Sequence, residues 1–253
     1  MTEITENELD IFISTFKDKL NFPTFYRNQF NIISSLPVVP SEAIETLDLT
    51  RPKKQKLTNK TVVFDLDETL VDVMTNEMMA NKKIQCNANI KKTSYVASRT
   101  GKVIEINVVI RPYALEMLKE LAPYYEIIIF TAAIKGYGDA VMNLLDPDNT
   151  LIDHRLYREN CMKLNEVYIK DLRILNRDLS EVVIVDNNIV SFSHQIENGI
   201  VIPAFSGTKL DSELVGLWLF LRQSAYAEDI RIPIASKYNL KLLFQVHNRV
   251  QDQ

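Results

Sequence analysis

The amino-acid sequence predicts an α/β fold in which helices cover both faces of a parallel sheet, a three-layer arrangement. Three short runs of apolar, mostly β-branched residues have the composition of strands buried on both faces: residues 61–64, 126–130 and 181–185. Segments with a helical pattern separate these runs. Because parallel strands are joined by crossovers, which are usually helices, this alternation predicts parallel pairing.

Three segments have the spacing of amphipathic helices. Apolar residues recur three and four positions apart over residues 114–122, 140–145 and 210–221. Residues 72–110 interrupt the alternation of strands and helices as an insertion. Within it, the stretch 91–110 alternates loosely between polar and apolar residues and has Gly101 at a turn, which predicts a β-hairpin.

The first sixty residues differ in pattern from the rest. An apolar stripe with helical spacing predicts a short amphipathic helix, formed by Leu9, Phe12, Ile13, Phe16 and Leu20. Residues 51–60 include five basic residues, interpreted as a solvated linker or, alternatively, as a nuclear-import or polyanion-binding patch. We therefore predict an N-terminal helical extension and basic linker over residues 1–56 and a sheet domain over residues 57–253. The helix would pack on that domain, on a second copy or on a partner.

Composition excludes several classes of protein. The 253 residues include 29 Lys+Arg and 33 Asp+Glu, and this net charge of −4 argues against direct nucleic-acid binding. Two cysteines are too few for a disulfide framework and indicate a reducing compartment. No apolar run approaches the roughly 18 residues of a membrane span, and the acidic N-terminus is unlike a signal peptide. We predict a nuclear or cytoplasmic protein with no membrane span.

Polar residues follow each of the three predicted strands. Asp65 and Asp67 follow the first, Thr131 the second, and Asp186 and Asn187 the third. Ligands of parallel sheets bind beyond the carboxyl ends of the strands, and two residues separated by two project to the same side of an extended chain. Acidic turns and helix caps are the alternative explanation, and for Thr131 alone it is the better one. The set as a whole favours a functional site.

The charges of this set imply a cation. Three carboxylates, those of Asp65, Asp67 and Asp186, would repel one another if no positive charge lay between them. Lys170 supplies one positive charge, although taken singly it too could be a structural residue. Mg²⁺ would supply the rest, because it binds a few carboxylate or carbonyl oxygens and retains water.

Several motifs resemble those of the FCP/SCP-type (NLI-interacting-factor-like) protein phosphatases of the haloacid dehalogenase superfamily, which include the small C-terminal-domain phosphatases and the Dullard-like enzymes. The resemblance covers about residues 60–225 and rests on Val63–Leu70, Arg111–Pro112, Phe130–Ala132, Tyr137, Leu156–Glu159, Tyr168–Leu172 and Ile184–Asn187. It implies a haloacid-dehalogenase-like (Rossmannoid) sheet. The chain departs from the family pattern at Asn188-Ile189, where members commonly have Ser-Pro, and at Ala204-Phe205, where Trp-Phe is usual. Both departures bear on substrate preference.

The resemblance implies roles for the strand-end residues. Asp65 would attack phosphorus and form an aspartyl-phosphate, and Asp67 would act as general acid and then as general base. Thr131 and Lys170 would hold and neutralise the phosphoryl oxygens.

The resemblance also implies a metal site and a substrate edge. Mg²⁺ would be held by the carboxylate of Asp65, the backbone carbonyl of Asp67 and the side chain of Asn187, with Asp186 adjacent. The substrate-binding residues would be Thr69, which also supports the motif turn, Tyr137 and Arg158. For Tyr137, packing of a helix residue on the sheet is the alternative.

The short insertion favours a protein substrate. The segment from Asp72 to Arg111 is too short for a helical cap of the kind that encloses small substrates, and an open groove suits a polypeptide. We therefore predict a Mg²⁺-dependent phosphoserine/phosphothreonine phosphatase, with the RNA polymerase II C-terminal domain or another phosphoprotein as substrate. The alternatives are a catalytically weak phosphopeptide-binding or scaffold protein of the same fold, and a small-molecule phosphatase. Because every candidate catalytic group lies between Asp65 and Asn187, residues 1–50 are predicted to be dispensable for the chemical step.

Overall fold

The computed structural model describes residues 24–50, 52, 54–74, 90–208 and 210–251. The amphipathic helix predicted around Leu9 to Leu20 lies outside these residues. Six α-helices occur in the described part of the chain: α1 (Thr24–Ser34), α2 (Ala114–Leu121), α3 (Lys135–Leu145), α4 (Glu213–Ser224), α5 (Arg231–Lys237) and α6 (Leu240–Gln251). Short 3₁₀ helices span Ser41–Ala43, Arg158–Asn160, Leu172–Leu175, Leu179–Glu181 and Ile189–Asn198.

A five-stranded parallel sheet forms the centre of the molecule. Its strands are β1 (Lys60–Phe64), β5 (Tyr125–Phe130), β6 (His154–Leu156), β9 (Val182–Asp186) and β10 (Gly199–Val201), in the spatial order β10-β9-β1-β5-β6. The three strands predicted from the sequence are β1, β5 and β9, which lie side by side, with Val63 opposite both Ile128 and Ile184. The predicted parallel sheet is therefore confirmed.

The side chains of the central strands alternate between two cores. Val62 and Phe64 point into a core shared with α2, α3 and α4, whereas Val63 points into a core shared with α1, α6 and the Ile189–Asn198 segment. Helices thus cover both faces, as predicted. The helix predicted over residues 210–221 begins only at Glu213, and Leu210 is fully exposed. Asp211, just before this helix, forms an ion pair with Arg111 instead of joining a helical turn.

The predicted hairpin is present and belongs to a small antiparallel sheet. Strands β3 (Ile90–Val96) and β4 (Val103–Ile110) pair across a turn in which Gly101 has a φ of 64°. The sequence did not predict β2 (Val71–Met74), which directly follows the Asp65–Leu70 turn and pairs with the other edge of β4. A second hairpin, β7 (Met162–Leu164) with β8 (Val167–Ile169), leads directly into Lys170.

The turn between β1 and β2 is held by a buried arginine. Arg111 is 1% exposed and donates hydrogen bonds to the backbone oxygens of Thr69 at 3.1 Å and Pro203 at 3.0 Å, while its ion pair with Asp211 spans 2.9 Å. Glu68 adopts a φ of 59°, in the left-handed region that most residues avoid. This turn places Asp65 and Asp67 at one edge of the sheet.

Residues 24–50 pack against the sheet layers. Phe30 of α1 is fully buried against Phe244 and His247 of α6, and the N–H of Leu47 donates to the carbonyl of Ile174 at 2.7 Å. The boundary predicted between residues 56 and 57 stays a prediction.

The basic stretch is not wholly a solvated linker. Lys56 forms a buried ion pair with Asp153 at 2.8 Å, and Lys60 forms one with Glu181. These two lysines fasten the chain to the sheet domain, so they are not available to a polyanion.

Candidate active site

The carboxyl ends of the three central strands bring the predicted residues together. Asp65 follows β1, Thr131 follows β5, and Asp186 ends β9. Because these strands are parallel neighbours, their ends lie at the same edge of the sheet. Lys170 reaches this edge from the end of β8.

Lys170 lies between two carboxylates. Its ammonium group is 2.5 Å from Oδ1 of Asp65 and 2.7 Å from Oδ2 of Asp186, and its side chain is 2% exposed. Burial lowers the pKa of Lys170, but Asp186 and Asp65 outweigh this effect and raise it above its ordinary value. The lysine therefore remains a cation throughout the physiological pH range.

Asp65 and Asp186 differ in their access to solvent. Asp186 is 1% exposed, and its burial raises the pKa of its carboxyl to about 7, against the opposing effect of Lys170. Its second oxygen accepts the backbone N–H of Asn188 at 2.8 Å. Asp65 is 7% exposed, and Oδ2 accepts a hydrogen bond from the hydroxyl of Thr69 at 3.0 Å. Asp65 is thus oriented by two donors, Lys170 and Thr69, and is slightly more exposed than Asp186.

Asp67 lies in a different environment from Asp65. Its carboxylate accepts hydrogen bonds from the hydroxyl of Tyr137 and, at 3.5 Å, from the hydroxyl of Thr131. Burial raises the pKa of Asp67 to about 6, although the hydrogen bond from Tyr137 opposes the rise. A carboxyl group with this pKa is partly protonated near neutral pH, which suits a group that donates and accepts a proton.

The oxygen atoms at this edge fit a hard divalent cation. The hydroxyl of Thr69 lies 3.0 Å from Oδ2 of Asp65 and 3.5 Å from Oδ1 of Asn187, so a carboxylate and an amide oxygen face the same small space. Among the described residues, no group of three or more His, Cys, Asp or Glu side chains is arranged to hold a metal. A metal ion would therefore depend on amide and backbone oxygens as well as on carboxylates. Mg²⁺ accepts such a mixed set and retains water.

Two predicted substrate residues lie next to the predicted catalytic residues Asp65 and Asp67. Thr69 is fully buried, so in this structure its hydroxyl serves Asp65 and Asn187. Tyr137, on α3, places its hydroxyl on Asp67 and packs its ring edge-to-face against Tyr95 of the hairpin. Contact of either residue with a substrate stays a prediction.

Arg158 lies beside the site and not within it. It is exposed; its Nε donates to the carbonyl of Ala132 at 2.6 Å, and its guanidinium packs over the ring of Tyr168 at 5.2 Å. The neighbouring Thr131 is one of the predicted catalytic residues. Arg158 is thus placed where a bound polypeptide could reach it, and its peptide-binding role stays a prediction.

The buried polar network around Asp171, next to Lys170, was not predicted from the sequence. Asp171 is 1% exposed and receives hydrogen bonds from Arg173, from Gln195 at 3.2 Å and from the ring nitrogen of His194 at 2.9 Å. This network fixes the residue directly after Lys170. Only the position of Asp171 next to Lys170 could have indicated it, because residues 194 and 195 are distant in sequence and carry no recognisable motif.

Comparison with known proteins agrees with this geometry. The model of the family described as NLI interacting factor-like phosphatase matches residues 60–231. The chain belongs to this family. The expected FCP/SCP-type membership is thereby confirmed.

Three relatives illustrate the match. CTD small phosphatase-like protein 2 of Dictyostelium discoideum is 35% identical over 75% of this chain and 31% of its own length. CTD small phosphatase-like protein 3 of Caenorhabditis elegans is 33% identical over 83% of this chain and 70% of its own length. Nuclear envelope morphology protein 1 of Saccharomyces cerevisiae is 30% identical over 80% of this chain and 46% of its own length. The chain thus spans less than half the length of two of them.

The fold also has a counterpart of known structure. A variant of fission yeast RNA polymerase II CTD phosphatase Fcp1, bound to beryllium fluoride, superposes with a TM-score of 0.51 and 18% identity, covering 75% of this chain and 57% of the chain of that structure. At this identity the likeness supports the haloacid-dehalogenase-like fold. In the described part of the chain, no helix combines the length and apolar composition needed to cross a membrane.

Proposed function

We propose that this protein is a Mg²⁺-dependent phosphoserine/phosphothreonine protein phosphatase that acts through an aspartyl-phosphate. The observation that carries the proposal is the difference in environment between two carboxylates two residues apart. Asp65 is paired with the cation Lys170 at 2.5 Å, whereas the carboxylate of Asp67 accepts hydrogen bonds from two hydroxyl groups and has a pKa raised by burial to about 6. Such a pair suits one nucleophile and one proton carrier.

The first step transfers the phosphoryl group to the enzyme. An oxygen of Asp65 attacks phosphorus, and the bond from phosphorus to the serine or threonine oxygen breaks. Protonated Asp67 gives its proton to that leaving oxygen, which would otherwise depart as a poor alkoxide. Thr131, whose hydroxyl now lies 3.5 Å from Asp67, would turn to donate to a phosphoryl oxygen.

The second step releases phosphate. Asp67, now ionised, takes a proton from a water molecule, and the resulting hydroxide attacks phosphorus. The bond between phosphorus and the oxygen of Asp65 breaks, which regenerates both carboxyl groups in their starting states. The pKa of about 6 for Asp67 lets the same group serve as acid and as base near neutral pH.

Positive charge is needed because both the site and the substrate are anionic. Lys170 neutralises one of the charges of Asp65 and Asp186 and would contact a phosphoryl oxygen as well. Asp65, the carbonyl of Asp67 and Asn187, with Asp186 adjacent, would hold Mg²⁺. When bound, this ion supplies the remaining positive charge to the phosphoryl oxygens.

The names of the relatives support a phosphoprotein as substrate. Two of them are described as CTD small phosphatase-like proteins, and the structural counterpart is an RNA polymerase II CTD phosphatase. The relative described as a nuclear envelope morphology protein supports a nuclear location. We propose a phosphorylated polypeptide of this kind, bound along the open edge that includes Arg158.

An aryl phosphate assay tests the proposal. The wild type should release phosphate in the presence of Mg²⁺ and lose activity when Mg²⁺ is chelated. Asp65→Asn should retain less than a few per cent of that activity, since an amide is a poor nucleophile. Asp148→Asn, the same substitution at an exposed position outside the site, should be as active as the wild type.

A thermal-shift measurement separates the proposal from a phosphopeptide-binding protein of the same fold. Beryllofluoride with Mg²⁺ mimics a phosphorylated aspartate and should raise the melting temperature of the wild type but not of Asp65→Asn. A wild type that binds phosphopeptides without turnover, and whose melting temperature beryllofluoride leaves unchanged, would instead be a binding protein.

A further inference from the structure

A side chain from α1 reaches the segment that follows Asp186. Oε1 of Gln29 accepts the backbone N–H of Ile189 at 2.5 Å and that of Val190 at 3.3 Å. These residues begin the Ile189–Asn198 segment. The side chain of Asn188 also accepts the N–H of Val190, at 3.1 Å. Two side chains therefore cap this segment, one from its own chain neighbour and one from the N-terminal helix.

The buried N–H groups at the start of this segment need hydrogen-bond acceptors. The first N–H groups of a helix have no acceptor within it, and a buried N–H without a partner is costly. Ile189 is fully buried and Val190 is 3% exposed, so water cannot replace the missing partner. Among the hydrogen bonds of the described residues, Gln29 is the one acceptor of the Ile189 N–H.

The capped segment is linked by hydrogen bonds to two residues of the candidate site, Asp186 and Lys170. Just before it, the N–H of Asn188 donates to Asp186 at 2.8 Å, and just after its start, the carbonyl of Ser191 accepts the N–H of Lys170 at 2.6 Å. A shift of Ile189 would thus move Asn188 and Ser191, the residues whose backbone groups are hydrogen-bonded to Asp186 and Lys170.

We propose that Gln29 is a positioning residue for the active site: it fixes the start of the Ile189–Asn198 segment and thereby the places of Asp186, Asn187 and Lys170. As far as catalysis is concerned, this inference rests on the proposed phosphatase function. Gln29 lies outside residues 60–231, which match the family model, whereas the predicted site residues from Asp65 to Asn187 all lie within that match. This inference departs from the prediction that residues 1–50 are dispensable for the chemical step.

The sequence at residue 189 supplies a specific test. Proline has no N–H to satisfy, so Ile189→Pro removes the donor that Gln29 serves. The local backbone would accept it, because Asn188 has φ −122° and ψ 109°, the extended conformation required before proline, and proline is favoured at the first position of a helix. If Gln29 serves the Ile189 N–H, Ile189→Pro should make Gln29 largely unnecessary.

The experiment compares five variants of the full chain. Gln29→Met keeps the length of the side chain and removes the acceptor, whereas Gln29→Glu keeps an acceptor. Asn28→Ala changes an exposed neighbour on the same helix and is the control. Ile189→Pro and the double variant Gln29→Met/Ile189→Pro complete the set. The readouts are amide hydrogen exchange at Ile189 and Val190 by NMR, and kcat and KM for an aryl phosphate well below the melting temperature.

We expect Gln29→Met to speed amide exchange at Ile189 and Val190 and to lower kcat about three- to tenfold, the effect of one lost buried hydrogen bond, with a smaller change in KM. Gln29→Glu and Asn28→Ala should behave like the wild type. In the Ile189→Pro background, Gln29→Met should change kcat less than twofold.

Three results would overturn the inference: unchanged amide exchange in Gln29→Met, a loss that Gln29→Glu does not restore, or an equal loss in the Ile189→Pro background. A drop in melting temperature with unchanged kcat would also overturn it, because it would show a purely structural role. Amide exchange needs no turnover. A wild type without phosphatase activity would therefore contradict the proposed function, while the exchange data would still decide whether Gln29 fixes the segment.

Discussion

The hydroxyl of Tyr137 donates a hydrogen bond to the carboxylate of Asp67. This contact joins α3 to the turn that follows β1, and it acts against the burial that raises the pKa of Asp67 to about 6. Tyr137 was expected at the peptide-binding edge, but its hydroxyl faces the proposed proton carrier. We therefore expect Tyr137 to lower the pKa of Asp67, an effect that can be measured.

Tyr137→Phe should shift the falling limb of the pH profile of kcat/KM to higher pH. Removal of the hydroxyl deletes a hydrogen bond that stabilises ionised Asp67, so the pKa of Asp67 should rise further above 6. The first step needs protonated Asp67, so kcat/KM for a phosphoserine peptide falls as the pH rises through this pKa. That falling limb should move to higher pH by roughly one unit, since a hydrogen bond to a charged group is worth about 1.5 kcal/mol or more.

The control is an aryl phosphate whose leaving group needs no proton. With this substrate, kcat/KM should show no such displacement in Tyr137→Phe. If the falling limb for the phosphoserine peptide stays in place, Tyr137 does not tune Asp67.

Arg158→Ala should lower kcat/KM for phosphopeptides more than kcat/KM for small substrates. Arg158 is exposed beside Thr131 and is absent from the contacts around Asp65 and Lys170. We expect kcat/KM for phosphopeptides to fall at least tenfold, while kcat/KM for an aryl phosphate changes less than threefold. Equal losses for both substrates would show that Arg158 stabilises the phosphoryl site or the fold and does not bind the peptide.

Phe30→Ala should destabilise the protein strongly. Phe30 is fully buried, with its ring centroid 5.3 Å from that of Phe244, so truncation leaves a cavity between α1 and α6. The free energy of unfolding in urea should fall by about 3–5 kcal/mol. Phe25→Ala on the same helix removes a ring that is 45% exposed and should cost less than about 1 kcal/mol. Similar costs for the two variants would show that α1 is not part of the core.

The sequence predicted the sheet well because its signals are local. The runs that became β1, β5 and β9 are continuous and apolar, which is required of strands covered on both faces. Strand β2 was missed because it is only four residues long and is specified by its pairing with β4, a contact between distant parts of the chain. The start of α4 was misplaced because Asp211 is held by Arg111, one hundred residues earlier.

The clustering of the candidate site residues was predictable for the same reason, whereas the residues that contact them from helices were not. Asp65, Thr131 and Asp186 follow directly after strands, so topology alone brings them to one edge. Gln29 and Tyr137 approach that edge from helices, and nothing in their local sequence indicates which group they meet. The basic stretch was interpreted as solvated because charge runs usually are; the burial of Lys56 depends on Asp153, nearly one hundred residues away.

The central claim is that Asp65 carries the phosphoryl group and Asp67 releases it, and Asp67→Asn tests this most directly. With an aryl phosphate the first step needs no acid, so the variant should still transfer phosphate to Asp65, whereas the second step has lost its base. The measurement is rapid mixing with substrate, followed by borohydride, which reduces an aspartyl-phosphate to homoserine, and peptide mass spectrometry. We predict a burst of aryl alcohol close to one equivalent and homoserine at position 65. Aryl phosphate turnover by the wild type with no burst in Asp67→Asn, or a modification at any other residue, would contradict the account.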